Sequence, residues 1–72
     1  MNRIGYEEEF RDEYHRIRRK VTELHEMLAK YEAGTLDHAL TCSPSLLKKQ
    51  LSAMEKYLYC LEVRSHVEKI NL

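Results

Sequence analysis

The stretch Leu46–Arg64, LLKKQLSAMEKYLYCLEVR, decides the fold. Leu47, Leu51, Met54, Leu58 and Leu61 recur at alternating steps of four and three, which draws one apolar stripe down an α-helix. Beside the stripe runs a second row, Gln50, Tyr57 and Arg64, spaced by seven. A heptad row drifts only ~20° per repeat on a straight helix, so these three polar-tipped side chains stay in line along the edge of the core.

Upstream, Phe10, Tyr14, Ile17, Val21, Leu24, Leu28 and Tyr31 alternate the same steps without a miss. This seam predicts a first helix over 6–33, starting after Gly5 and stopped by Gly34 as its C′ residue. Acidic Glu7, Glu8, Glu9, Asp12 and Glu13 crowd its first two turns, where the helix dipole favours them. Basic residues follow at Arg16, Arg18, Arg19 and Lys20, and Asp12 with Arg16 is an expected pair. Residues 34–43 form the connection, with Leu36, Ala39 and Leu40 expected to tuck against the closed end. Ser43 and Pro44 then make an N-cap and N1 pair, opening a second helix over 44–69 that ends only where the chain does.

Two helices of similar length and a short link give an all-α fold, an antiparallel two-helix hairpin occupying 1–72 as a single domain. Seventy-two residues bury little surface on their own. The second helix also carries Leu46, Ala53, Cys60 and Val67 on one flank, and Tyr59, Val63 and Ile70 on its far side. Apolar surface on several sides predicts self-association into an oligomeric helical bundle, at least a dimer of hairpins.

Charge and motifs exclude several function classes. Lys+Arg and Asp+Glu both number 12, and this balance disfavours general nucleic-acid binding, which rests on phosphate neutralisation. No apolar run reaches the ~20 residues of a membrane span, and the first residues lack a signal-peptide core. Cys42 and Cys60 form neither a C-x-x-C pair nor a zinc pattern, which suits reduced thiols in a cytosol. The four histidines show no H-E-x-x-H spacing and the serines Ser43 and Ser45 serve capping, so no enzyme, metal or cofactor is expected.

Two rows remain that could hold a ligand. Gln50, Tyr57 and Arg64 can be structural, with Arg64 neutralised by Glu9 and Glu13 at the start of the first helix. Alternatively they offer an amide for base edges, a ring for stacking and a cation for phosphate, in a pocket where hairpins meet. Arg11, Arg18 and His25 form a matching row on the first helix, while Lys20 shares the opposite edge with Glu13 and Met27. These can be register-setting ion pairs, or Arg18 or Lys20 can contribute to an anion pocket formed with another subunit.

The second helix resembles the pattern L-x-x-Q-L-x-x-M-x-x-Y-x-x-x-L-x-x-R, met here as Leu47, Gln50, Leu51, Met54, Tyr57, Leu61 and Arg64. That pattern belongs to very small helical proteins of tailed bacteriophages and prophages, crAss-like phages included. The first helix is similar in Lys20, Val21, Leu24 and Leu28, and departs from it with Met27 for an aromatic residue and Glu23 for a lysine. In build, such hairpins are similar to phage sponges against CBASS and Thoeris defence, which assemble as hexamers and sequester cyclic nucleotides or cyclic ADP-ribose isomers without cleaving them. The resemblance implies a phage-encoded, non-enzymatic homo-oligomer, a dimer or a higher assembly such as a hexamer, in the cytoplasm of an infected bacterium. Its expected ligand is a small cyclic nucleotide immune signal; no sponge residue maps onto this chain by motif, and the residues expected to hold the ligand, Arg18, Lys20, Gln50, Tyr57 and Arg64, come from the polar rows themselves. The rival expectation is an interaction module that docks on a host or phage protein through Tyr59, Val63 and Ile70.

Overall fold

The computed structural model describes residues 3–72. Helix α1 spans Arg3–Ala33 and helix α2 spans Pro44–Glu68, and there are no strands among the described residues. The helices lie antiparallel in one rod of 47 × 18 × 17 Å.

Each helix end has a chemical cause. Helix α1 begins at Arg3, before the expected start at Tyr6, and runs through Gly5. A helical glycine costs ~1 kcal/mol relative to alanine. Against that cost, Arg3 donates from Nε to Glu7 Oε1 at 3.0 Å and from Nη2 to the Glu68 carbonyl at 2.8 Å. The expected fraying of the lead therefore does not extend to residues 3–5, and Met1 and Asn2 lie outside the described residues. The earlier start also moves Glu7–Glu9 out of the first turn, which holds no acid, so the dipole contributes less than the sequence suggested.

At the other end Gly34 adopts φ +74°. Its N–H donates to Tyr31 C=O at 3.1 Å and that of Thr35 to Lys30 C=O at 2.9 Å, a complete Schellman stop. The Ser43 Oγ accepts from the Leu46 N–H at 3.1 Å and Pro44 takes the first helical position, so α2 starts as the sequence indicates.

The C-terminal end of α2 departs from expectation. Lys69 turns left-handed at φ 56°, and the Ile70 N–H donates to the Ser65 carbonyl at 2.8 Å. The helix thus closes with its own cap. Ile70, expected on the far side of α2, swings back to 5% exposure against Phe10, Tyr14 and Leu61.

Two apolar clusters join the helices. Phe10, Tyr14, Leu61 and Ile70 fill the open end, with Tyr6 and Leu58 against them. Leu24, Leu28 and Leu47 fill the closed end, where Met27, Leu40, Leu51 and Met54 pack. Leu36 and Leu40 of the connection are half-buried, whereas Ala39 is exposed. Tyr31, read as part of the seam, is exposed at the last turn of α1 and takes no part in the closed-end cluster. On the outer side of α2, Leu46 (55%), Tyr59 (65%), Val63 (42%) and Val67 (74%) remain open to solvent.

Candidate functional site

The two edge rows of the hairpin meet as a ladder. Tyr6, Glu13 and Lys20 step by seven along α1 while Arg64, Tyr57 and Gln50 step back by seven along α2, and each residue faces its counterpart. This places Arg64 opposite Tyr6, a turn further out than the expected Glu9 and Glu13.

The outermost rung is a closed ring of three groups. Arg64 donates from Nε to Glu68 Oε2 and from Nη2 to the Tyr6 oxygen, both at 2.9 Å. The Tyr6 hydroxyl in turn donates to the other oxygen of Glu68. The guanidinium also lies 5.1 Å from the centre of the Phe10 ring, where the π face favours a cation. The Tyr6 hydroxyl and the Arg64 guanidinium together hold the Glu68 carboxyl below the usual carboxylate value. Glu68 in return raises both Tyr6 and Arg64.

In the middle rung the Tyr57 hydroxyl donates to Glu13 Oε2 at 3.0 Å. Glu13 Oε1 accepts from Arg16 Nε at 3.0 Å and from Arg16 Nη2 at 2.5 Å, in place of the expected Asp12–Arg16 pair. Arg16 first, and Tyr57 second, lower the Glu13 carboxyl, and Glu13 raises the Tyr57 phenol. Tyr57 as a residue is 42% exposed.

The inner rung is open. Lys20, Glu23 and Gln50 rim a groove of about 260 Å³ whose floor is Leu24, Met27 and Met54. Two thioethers and a leucine give an adaptable apolar bed, and the rim above it supplies a cation, a carboxylate and an amide. Such a set can hold a flat ring and a neighbouring anion. It offers no nucleophile–base pair.

Arg18 does not join this edge. Lying two residues from Lys20, it projects from the other side of α1, where its charge reaches the Tyr14 phenol. That second edge is tied by Tyr14 donating to Glu62 at 3.2 Å, Arg11 to the Asn71 carbonyl at 3.3 Å, and Lys48 paired with Glu32 at 2.6 Å. Of the five residues singled out in the sequence, Lys20 and Gln50 share a groove, Tyr57 and Arg64 continue its edge, and Arg18 stands apart.

The sequence alone does not single out Tyr6 and Glu68 for this edge, it gives Met27 no role, and it pairs Glu13 with Arg64, whereas Glu13 accepts from Tyr57. Three of these were readable, because Tyr6, Glu13, Lys20 and Met27 form an unbroken heptad row. Among the described residues no three metal-ligating side chains cluster, and no helix is long and apolar enough to cross a membrane. Cys42 and Cys60 are free and exposed.

Compared with known proteins, residues 5–66 match the sequence model of one family, described as Sequestin. Neither a curated protein nor a solved structure matches the chain.

Proposed function

Because the chain belongs to the Sequestin family, we propose that it is a non-enzymatic protein that binds and sequesters a small cyclic nucleotide immune signal. The family name itself points to sequestration, hence to a binding protein. The observation that carries the nucleotide reading is the open inner rung. Lys20 and Gln50 stand over a bed of Leu24, Met27 and Met54, in line with the ring of Tyr57.

Each group has a task that suits its chemistry. Lys20 holds phosphate as a point charge, Gln50 reads a base edge through its amide, and the Tyr57 ring stacks on a base. Arg64 is paired with Glu68 and Tyr6 of its own hairpin, which favours the structural role for it, and it becomes a second cation for phosphate only if a ligand draws it out of that ring. Arg18, on the opposite edge, reaches a ligand only as a contribution from a neighbouring hairpin.

A groove of about 260 Å³ is smaller than the ~300–1,000 Å³ typical of ligand sites. A second hairpin would enlarge and cover it, and the exposed Leu46, Tyr59, Val63 and Val67 supply an apolar surface for such assembly. The proposed working form is therefore a homo-oligomer, encoded by a phage and acting in the cytoplasm of the infected bacterium against its defence. The same exposed side favours a second reading, a module that docks on a host or phage protein. Ile70 no longer belongs to that surface, since it is buried.

Isothermal titration with cyclic di- and trinucleotides and cyclic ADP-ribose isomers tests the first reading. At least one should bind and be recovered intact; Lys20→Ala should weaken it by about tenfold or more, the ~1.5–3 kcal/mol of a charge-assisted contact, and Gln50→Ala by about two- to tenfold, the ~0.5–1.5 kcal/mol of a neutral hydrogen bond. Silence across the panel, together with a stoichiometric protein partner pulled from infected cells, selects the docking module instead.

A further inference from the structure

Glu13 sets a negative charge on the edge where Lys20 and Arg64 carry positive ones. One heptad separates it from Lys20, ~10 Å along the helix, which is about one Debye length at ~0.1 M salt and well within one at low salt. An anion seated between Lys20 and Tyr57 therefore feels the Glu13 carboxylate. The same carboxylate holds the hydroxyl of the ring that is to stack on the base.

The two oxygens of Glu13 are engaged separately. Arg16 places two N–H groups on Oε1, and Tyr57 alone uses Oε2. Breaking the Tyr57 bond leaves the carboxylate paired with Arg16 on its own helix, at an exposed surface where water can take the vacant oxygen. Tyr57 can thus be released without stranding a charge. Glu68 differs, because each of its oxygens belongs to the closed ring with Tyr6 and Arg64.

We propose that Glu13 is an affinity-setting residue of the ligand edge: it latches Tyr57 in the free protein, opposes the incoming anion, and keeps to Arg16 when Tyr57 moves onto the ligand. The inference rests on the nucleotide-binding reading and adds to it a built-in restraint on affinity.

Glu13→Gln separates charge from hydrogen bonding, since its amide oxygen still accepts from Tyr57. Asp12→Asn, at an exposed neighbouring position, makes the same change in net charge. Wild type and both variants are titrated with the cyclic nucleotide panel and with inorganic pyrophosphate at low and high salt, and circular dichroism melting checks that each is folded. Glu13→Gln should bind about twofold tighter at low salt, the size of one unit charge at this range in a watery setting. The gain should shrink at high salt, and Asp12→Asn should gain less than Glu13→Gln because it leaves the Tyr57 latch charged. A Glu13→Gln affinity equal to or below that of Asp12→Asn overturns the inference while leaving the binding reading intact. If none of the three proteins binds any probe, both fall together.

Discussion

Tyr6 and Arg64 face each other across the open end of the hairpin, with Arg64 Nη2 donating to the tyrosine oxygen at 2.9 Å. The contact joins the first turn of α1 to the last turns of α2, and Glu68 closes it into a ring. The open end is thereby tied by polar groups that remain in solvent, just outside the Phe10–Leu61 cluster.

The acid limb of the stability profile should depend on that ring. Glu68, Glu13 and Glu32 all lie below the ordinary value of 4.5, lowered chiefly by Tyr6, Arg16 and Lys48 in turn. Stability from such groups is fully present above the ordinary value and is lost as pH falls through the depressed one. Tyr6, Tyr14 and Tyr57 are raised above 10.0, so their share is present below that value and lost in stronger alkali. The urea midpoint should therefore be level between these limits and fall outside them. Glu68→Gln should flatten the acid limb, and an unchanged acid slope would count against the ring.

Leu61, at 2% exposure, is the most deeply buried side chain among the described residues. Leu61→Ala should cost about 2–5 kcal/mol by urea unfolding, enough to leave a chain of this size largely unfolded. Leu46→Ala, at an exposed position, should change folding by no more than ~0.5 kcal/mol. If the outer side of α2 joins hairpins, Leu46→Ala should instead lower the molar mass seen by light scattering.

The two glycines should respond with opposite sign. A Cβ at Gly5 meets nothing within 4 Å, so Gly5→Ala should stabilise the helix by ~0.5–1 kcal/mol. Gly34 holds φ +74°, and Gly34→Ala should destabilise by about 1–2 kcal/mol through the left-handed backbone alone. Thermal melting of the two variants should bracket the parent.

Ile70 acts as a plug past the end of its helix. Ile70→Ala should cost about 2–4 kcal/mol by urea unfolding, whereas Leu72→Ala, at an exposed position, should be near neutral. Equal effects would mean that the left-handed turn at Lys69 does not hold Ile70 in the core.

The sequence makes the apolar seams legible because a heptad pattern fixes which faces touch. Phe10, Tyr14, Ile17, Leu24 and Leu28 are buried as their spacing implies. It does not fix the offset between the two helices, which depends on how ten connecting residues close, and so it points Arg64 to Glu9 and Glu13 where the structure sets Tyr6 and Glu68. Helical spacing also fails past a cap. Ile70 is on the far side only if α2 continues, and one αL residue reverses its direction. Gly5 misled for a related reason, since local propensity gave way to bonds that Arg3 makes to Glu7 and to α2. Of the polar edge, the rows are readable and the partners across them are not.

The spacing of the rungs carries a consequence for selectivity. Graduations along this slim rod fall one heptad apart, ~10 Å. A molecule gripped at the Lys20 and Tyr57 marks must carry its phosphate and its base at that separation. The hairpin would then sort guests by reach, as a ruler does, and a compact mononucleotide would span too few marks to be kept.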